Sequence, residues 1–170
     1  MQRQFLAIAI TIALSLTTLS ASAALPAAEP TYLQNEWSGR GQCLDVVNDG
    51  TNNQLHMAAC GQVSGQQWTL RRSEQPGYVR LHNQFTTGAR CLDVVNDGRN
   101  DKVQMAACAN ASGQLWKVST VRADRRYVRL TNQFTGRTRC LESTATGLRM
   151  KSCSGDIGGQ RWRSEFSPTM

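Results

Sequence analysis

The tripeptide Gln-x-Trp occurs three times, as Gln66-Gln67-Trp68, Gln114-Leu115-Trp116 and Gln160-Arg161-Trp162, at intervals of 48 and then 46 residues. Its neighbours recur in register. Cys43-Leu44-Asp45-Val46-Val47-Asn48-Asp49-Gly50 returns as Cys91-Leu92-Asp93-Val94-Val95-Asn96-Asp97-Gly98, and more loosely as Cys140-Leu141-Glu142-Ser143. Self-similarity at a fixed period makes the repeat the unit of folding, because one unit cannot bury its apolar face alone. The repeats span residues 31–76, 77–121 and 122–166.

Within a unit the pattern is that of short strands. Tyr78-Val79-Arg80-Leu81 and Tyr127-Val128-Arg129-Leu130 alternate apolar and polar residues, as half-buried strands do. A glycine-bearing turn follows, then Cys-Leu-Asp-Val-Val, a second strand stopped by Asn-Asp-Gly. Leu55-His56-Met57 and Val103-Gln104-Met105 form a third strand. Gln-x-Trp leads into a fourth, Trp68-Thr69-Leu70 or Trp116-Lys117-Val118. Four strands in each of three units predict an all-β domain of about twelve strands. Trp68, Trp116 and Trp162, with Met57, Met105 and Met150, fall at matched positions and are assigned to the core. The glutamine of Gln-x-Trp is read as a buried amide bonded to the backbone of a neighbouring turn.

Ahead of the repeats, Arg3, an apolar run from Phe5 to Leu19 and Ala21-Ser22-Ala23 form a secretory signal pattern. Residues 1–23 are expected to be removed and 24–30 to be a short linker. The expected destination is secreted, or periplasmic in a Gram-negative bacterium, with no transmembrane segment once the signal is gone. Six cysteines in an exported chain read as disulfides. On the order of 15 pairings are open to six cysteines. A threefold fold most simply closes each pair within its copy, giving Cys43–Cys60, Cys91–Cys108 and Cys140–Cys153. Spacings of 17, 17 and 13 residues make each loop worth about 3 kcal/mol in the chain-entropy model. A zinc site is not indicated, since the cysteines are widely spaced and only His56 and His82 accompany them. No cofactor is expected.

Three in-register copies of Cys-Leu-Asp-Val…Cys…Gln-x-Trp, covering Tyr32 to Phe166, resemble the ricin B-type lectin family. The resemblance implies a β-trefoil with pseudo-threefold symmetry: six strands in a barrel and three capping hairpins. It also implies shallow sugar sites, up to one per copy. In that pattern the aspartate of Cys-Leu-Asp accepts hydrogen bonds from vicinal sugar hydroxyls. An aromatic residue shortly before the second cysteine stacks on the sugar. A polar strand residue and an asparagine before Gln-x-Trp complete the site. The chain keeps the carboxylates as Asp45 and Asp93, with Glu142 in the third copy. His56, Gln104 and Arg149 hold the polar position. Ala58, Ala106 and Lys151 stand where the aromatic is expected, and Gly65, Gly113 and Gly159 where the asparagine is expected. Stacking of this kind supplies ~1–3 kcal/mol by analogy with bases on aromatic rings, so the resemblance implies modified, weak sites in the first two copies. The carbohydrate-binding candidates are Asp45, His56, Gln66, Asp93, Gln104 and Gln114.

Alternatives stand beside these assignments. Asp45 and Asp93 read equally as caps of the Asn-Asp-Gly turn, and His56 as a solvent-facing strand residue. Trp37, Phe85 and Phe134, each six residues before the first cysteine of its copy, form either a second aromatic surface or packing under a hairpin. The net charge of +7 is uneven. Residues 122–170 carry ten basic and four acidic side chains, which suits either solubility or an acidic partner such as an anionic glycan. Nucleic acid is not expected for an exported chain. No nucleophile–histidine–acid arrangement is visible, and the matched carboxylates belong to separate copies, against the close pair a glycosidase needs. The expectation is a non-enzymatic, lectin-like module. The competing reading is a protein-interaction or toxin-delivery subunit on the same scaffold.

Overall fold

The computed structural model describes residues 29–155 and 157–165. The expected signal segment and most of the linker lie outside the described residues. Twelve strands follow one another along the chain: β1 (Tyr32–Asn35), β2 (Gly39–Val46), β3 (Leu55–Ala59), β4 (Trp68–Arg72), β5 (Val79–Asn83), β6 (Arg90–Val94), β7 (Val103–Ala107), β8 (Trp116–Thr120), β9 (Val128–Asn132), β10 (Gly136–Thr144), β11 (Gly147–Ser152) and β12 (Trp162–Glu165). A 3₁₀ turn precedes Gln-x-Trp in each copy, at Ser64–Gln66, Ser112–Gln114 and Gly158–Gln160.

Each copy gives two strands to a closed antiparallel ring that runs β1–β12–β9–β8–β5–β4. The Thr31–Trp68 bridge returns β4 to β1. Closure matters because a sheet edge left open exposes unpaired backbone groups. The remaining strands pair as three hairpins, β2–β3, β6–β7 and β10–β11. This is the β-trefoil that the repeats imply.

Matched residues make the core. Trp68, Trp116 and Trp162 are fully buried, alongside Leu44, Leu92 and Leu141. Each indole N–H is satisfied across the copy: Trp68 Nε1 donates to Leu44 O (2.9 Å), Trp116 to Leu92 O (2.8 Å) and Trp162 to Leu141 O (2.9 Å). The three disulfides form as paired in the sequence, each with Cα atoms 5.0–5.1 Å apart.

The copies are joined by a buried asparagine at the end of the first strand. Asn83 Nδ2 donates to Gly65 O of the copy before it, Asn132 to Gly113 O, and Asn35 to Gly159 O, each at 2.8 Å. The same side chains accept from the backbone N–H of Phe85 (3.0 Å), Phe134 (2.9 Å) and Trp37 (3.1 Å). Bonding therefore runs cyclically from copy to copy.

The third hairpin departs from the symmetry. The hairpin turns of copies 1 and 2 are long Asx loops, in which Asp49 Oδ1 accepts from Thr51 and Asn52 N–H, and Asp97 Oδ1 from Arg99 and Asn100 N–H. Gly50 and Gly98 adopt φ of 82°, which only glycine takes without strain. The third hairpin turns tightly at Ala145-Thr146, with Thr144 Oγ1 donating to Gly147 O (2.7 Å). This shortening explains a departure from the sequence reading. Met105 and Met150 are buried, but Met57 only packs against the core from the side. The long loops reach the next copy, where Met105 N donates to Asn53 O (2.8 Å) and Met150 N to Asp101 O (2.7 Å). Copy 3 is too short to cover Met57 in the same way.

Replacing Asn83 by alanine strands the Gly65 carbonyl and the Phe85 N–H in a dry interface. Each stranded group costs about 1–3 kcal/mol. Asn83→Ala is expected to lower unfolding free energy by roughly 2–4 kcal/mol in urea titration. A loss within error would show that the bond does not join the copies.

Candidate functional site

Strand register places the carboxylates. In β2–β3, Asp45 stands opposite His56; in β6–β7, Asp93 stands opposite Gln104; in β10–β11, Glu142 stands opposite Arg149. Behind each carboxylate lies the 3₁₀ turn that carries Gln-x-Trp, so residues 21 positions apart in the first copy meet side by side.

The glutamines are structural anchors of that meeting. Gln66 and Gln114 are 2% exposed. Gln66 Oε1 accepts from Gly61 N–H (2.8 Å), while Nε2 donates to Ala59 O (2.9 Å) and to Asp45 Oδ2 (3.1 Å). Gln114 binds Ala109 N–H and Ala107 O in the same way. Gln160 repeats the pattern and donates to Glu142 Oε2 at 2.7 Å. The amide therefore holds a loop and, in copies 1 and 3, the carboxylate as well.

Gly65 and Gly113 have a steric cause. A Cβ at Gly65 would run into Asp45 Oδ1, and one at Gly113 into Asp93 Oδ1. A Cβ at Gly159 would meet Ser143 O and Glu142 Cγ. At Gly65 and Gly113 the carboxylates occupy the space that an asparagine side chain would need.

Two wells result. The first, about 330 Å³, is lined by Asp45, Asn48, His56, Val63, Gly65 and Phe85. The second, about 180 Å³, is lined by Asp93, Asn96, Ala111, Ser112, Gly113 and Phe134. His56 is exposed, with Nε2 3.8 Å from Asp45 Oδ2. Burial pushes the Asp93 carboxyl above its ordinary value, partly offset by hydrogen bonds from the Gln104 amide and the Val94 N–H. Turn capping falls to Asp49 and Asp97, which leaves Asp45 and Asp93 on the well walls. The open choice for the recurring aromatics resolves as a mixture. Phe85 and Phe134 pack against the core and also wall a well, in each case the well of the preceding copy. Their six-residue offset was visible in the sequence, but the well they face depends on how copies abut.

The basic third copy spends much of its charge internally. Arg126 pairs with Asp124 at 2.6 Å, and this holds the Asp124 carboxyl down to about 2. Arg161 pairs with Glu36 (3.1 Å). Arg129 donates to Ser154 O and Gly155 O, and Arg139 to Arg99 O and Asn100 O. Arg122, Arg125, Arg137 and Lys151 are exposed. His82 lies against the Cys91–Cys108 disulfide, whose sulfurs are already bonded to each other. Among the described residues no helix is long and apolar enough to cross a membrane.

Residues 29–162 match the family model described as ricin-type beta-trefoil lectin domain. Among solved structures, the chain is similar to the designed threefold-symmetric protein ThreeFoil, with 23% identity, TM-score 0.67, and 80% of this chain and 97% of that one covered. It is similar to SeviL bound to asialo-GM1 saccharide, with 20% identity, TM-score 0.62, and 81% and 96% covered. It is also similar to the Macrolepiota procera ricin B-like lectin in complex with lactose, with 14% identity, TM-score 0.65, and 84% and 99% covered. A comparison with curated proteins found no matching relative.

The packing of glycine on carboxylate is open to direct test. Gly65→Ala forces Asp45 away from Gln66 and is expected to cost about 1–3 kcal/mol of stability, as overpacking does. Gly61→Ala, with nothing within 4 Å of the added carbon, serves as the control and is expected to change denaturation little. Equal effects of the two substitutions would remove the steric account.

Proposed function

The chain belongs to the ricin-type beta-trefoil lectin domain family, and from that footing we propose that it is an exported, non-catalytic carbohydrate-binding module whose sugar wells are those of copies 1 and 2. The observation that carries the reading is the composition of those wells: a carboxylate and a phenylalanine wall around one cavity in each, with His56 added in the first.

The chemistry follows from the groups. An ionised Asp45 or Asp93 accepts O–H donors from two neighbouring sugar hydroxyls, and charge-assisted bonds are about twice as strong as neutral ones. His56 lines the first well and offers a further polar contact, while Gln104 lies outside the second well and holds its Asp93 carboxylate by a hydrogen bond. Gln66 acts by holding Asp45, and Gln114 by fixing the loop beside Asp93. Phe85 and Phe134 offer an apolar face from the adjoining copy, although both rings also pack against the core. Weak binding is expected for that reason. Six paired cysteines support an oxidising compartment. Separate wells in separate copies support a binding role over glycosidic cleavage, which needs two carboxyl groups within roughly 10 Å. The internal use of the arginines favours these wells over an electrostatic site on copy 3.

A glycan array and calorimetry on the oxidised protein test the reading. Asp45→Asn and Asp93→Asn are each expected to remove one site, and the pair to lower affinity at least tenfold. Undiminished glycan binding by the double variant would sink the proposal.

Acid provides a second test. Protonating Asp93 removes an acceptor pair. In Asp45→Asn, which leaves Asp93 as the one well carboxylate of copies 1 and 2, the binding that Asp93→Asn abolishes is expected to fade as pH falls, with a midpoint above the ordinary 3.8. The group's effect on folding has the opposite sign. A raised folded pKa favours the fold below the unfolded value and loses that contribution as pH rises through the folded one. Titration of Asp93 therefore does not unfold the protein on acidification. A midpoint at or below 3.8 would contradict the role given to Asp93.

A further inference from the structure

Trp37 breaks the pattern of the other tryptophans. Trp68, Trp116 and Trp162 are fully buried, while Trp37 is 57% exposed. It is the repeat equivalent of Phe85 and Phe134, and its backbone is held in the same frame. Asn35 Oδ1 accepts from Trp37 N–H at 3.1 Å and from Ser38 N–H at 3.4 Å, and Asn35 Nδ2 donates to Gly159 O at 2.8 Å. The ring is therefore presented by a built support.

What differs is the opposite wall. Over Phe85 and Phe134 stand the long loops of copies 1 and 2, whose Asn48 and Asn96 line the wells. Facing Trp37 is the short hairpin of copy 3, whose cysteines stand 13 positions apart in place of 17. The missing residues unroof the indole. A cleft of about 200 Å³ remains, lined by Trp37, Ser38, His56, Met57, Ser143 and Thr144, with Ala145 at its mouth. Glu142 does not line it; its carboxylate bonds the buried Gln160. Among the residues lining the cleft, His56 is the sole titratable group.

An exposed indole ringed by hydroxyls and an imidazole suits one class of ligand. A pyranose has an apolar C–H face, which packs on an aromatic ring, and a rim of hydroxyls that need partners. Ser38 Oγ bonds the buried Ser143 Oγ at 2.9 Å, which fixes the half-buried Ser38 hydroxyl at the cleft with capacity left for a ligand. A cleft smaller than the ~300–1,000 Å³ of drug-sized sites takes a single ring. The lack of carboxylates and fixed cations in the lining selects a neutral sugar. We propose that the Trp37 cleft is a separate site for a neutral pyranose, built on stacking where the wells of copies 1 and 2 are built on a carboxylate. It shares His56 with the first well, and its occupancy does not depend on Asp45 or Asp93.

Trp37 reports on its own site, because the other three indoles are out of reach of solvent. Acrylamide quenching of intrinsic fluorescence is measured with and without the methyl glycosides of glucose, galactose, mannose and N-acetylglucosamine. At least one glycoside is expected to lower the quenching constant twofold or more in the wild type. Equal protection is expected in Asp45→Asn/Asp93→Asn, and none in Ala145→Arg, which blocks the mouth from an exposed turn. Trp37→Ala should lose the corresponding sugar from a glycan array. If that variant fails to form its disulfides, Ala145→Arg carries the array test alone. No protection of the wild type by any of the four glycosides overturns the proposal. So does protection that vanishes in the double aspartate variant, because the wells would then account for it. Failure of the carboxylate wells shows separately, as unchanged array binding by that double variant.

Discussion

Three buried asparagine side chains hold the molecule together as one body. Asn35, Asn83 and Asn132 are at most 2% exposed, and each spans a junction between copies. A unit of this size buries too little apolar surface to stand alone. The copies gain a core only by meeting on a common axis, and a dry junction demands that every polar backbone group find a partner. One amide meets the demand twice. Its nitrogen satisfies the carbonyl of the glycine before Gln-x-Trp in the neighbour, and its oxygen satisfies the N–H of the aromatic two residues on. The bond that closes the barrel thus also decides which aromatic looks into which well.

That double duty marks what the sequence discloses and what it hides. The period, the strands, the cysteine pairing and the buried Trp68, Trp116 and Trp162 follow from residues that act within a copy, and an alignment of the copies shows them. The site was only half legible. Asp45 and Asp93 were visible as matched carboxylates, and Ala58 and Ala106 as a missing platform. The wall formed by Phe85 and Phe134 was not assignable, because it belongs to the next copy, and no spacing within one unit reports a contact made across a junction. The choice between capping and binding for Asp45 turned on a neighbour. The loop is capped by Asp49, four residues along, a role that the sequence alone leaves open to Asp45.

The third copy shows how a small change in length acts at a distance. Its charge was legible as a count, but the use of that charge was not. Arg126, Arg129, Arg139 and Arg161 reach carbonyls and carboxylates of surrounding loops, some of them in other copies. An arginine that satisfies two carbonyls is a brace, and its charge is shared with the dipoles it holds. The shortened hairpin leaves Met57 at the rim of the core and Trp37 in solvent, though both belong to the first copy. Deleting residues from one repeat of a cyclic structure thus alters the surface of the next.

The exchange of asparagine for glycine before Gln-x-Trp can be understood in the same terms. A side chain at Gly65 or Gly113 and a carboxylate turned toward the 3₁₀ turn compete for one volume. Where glycine stands, the carboxylate moves in. In the first copy it takes the second N–H of the Gln66 amide. In the second it is buried enough to raise its proton affinity and is held by Gln104. Losing the amide side chain is therefore tied to the position of the carboxylate, since each glycine sets how deep its acid sits. Depth in turn sets the cost of keeping the acid charged, because burial penalises an ion unless hydrogen bonds compensate.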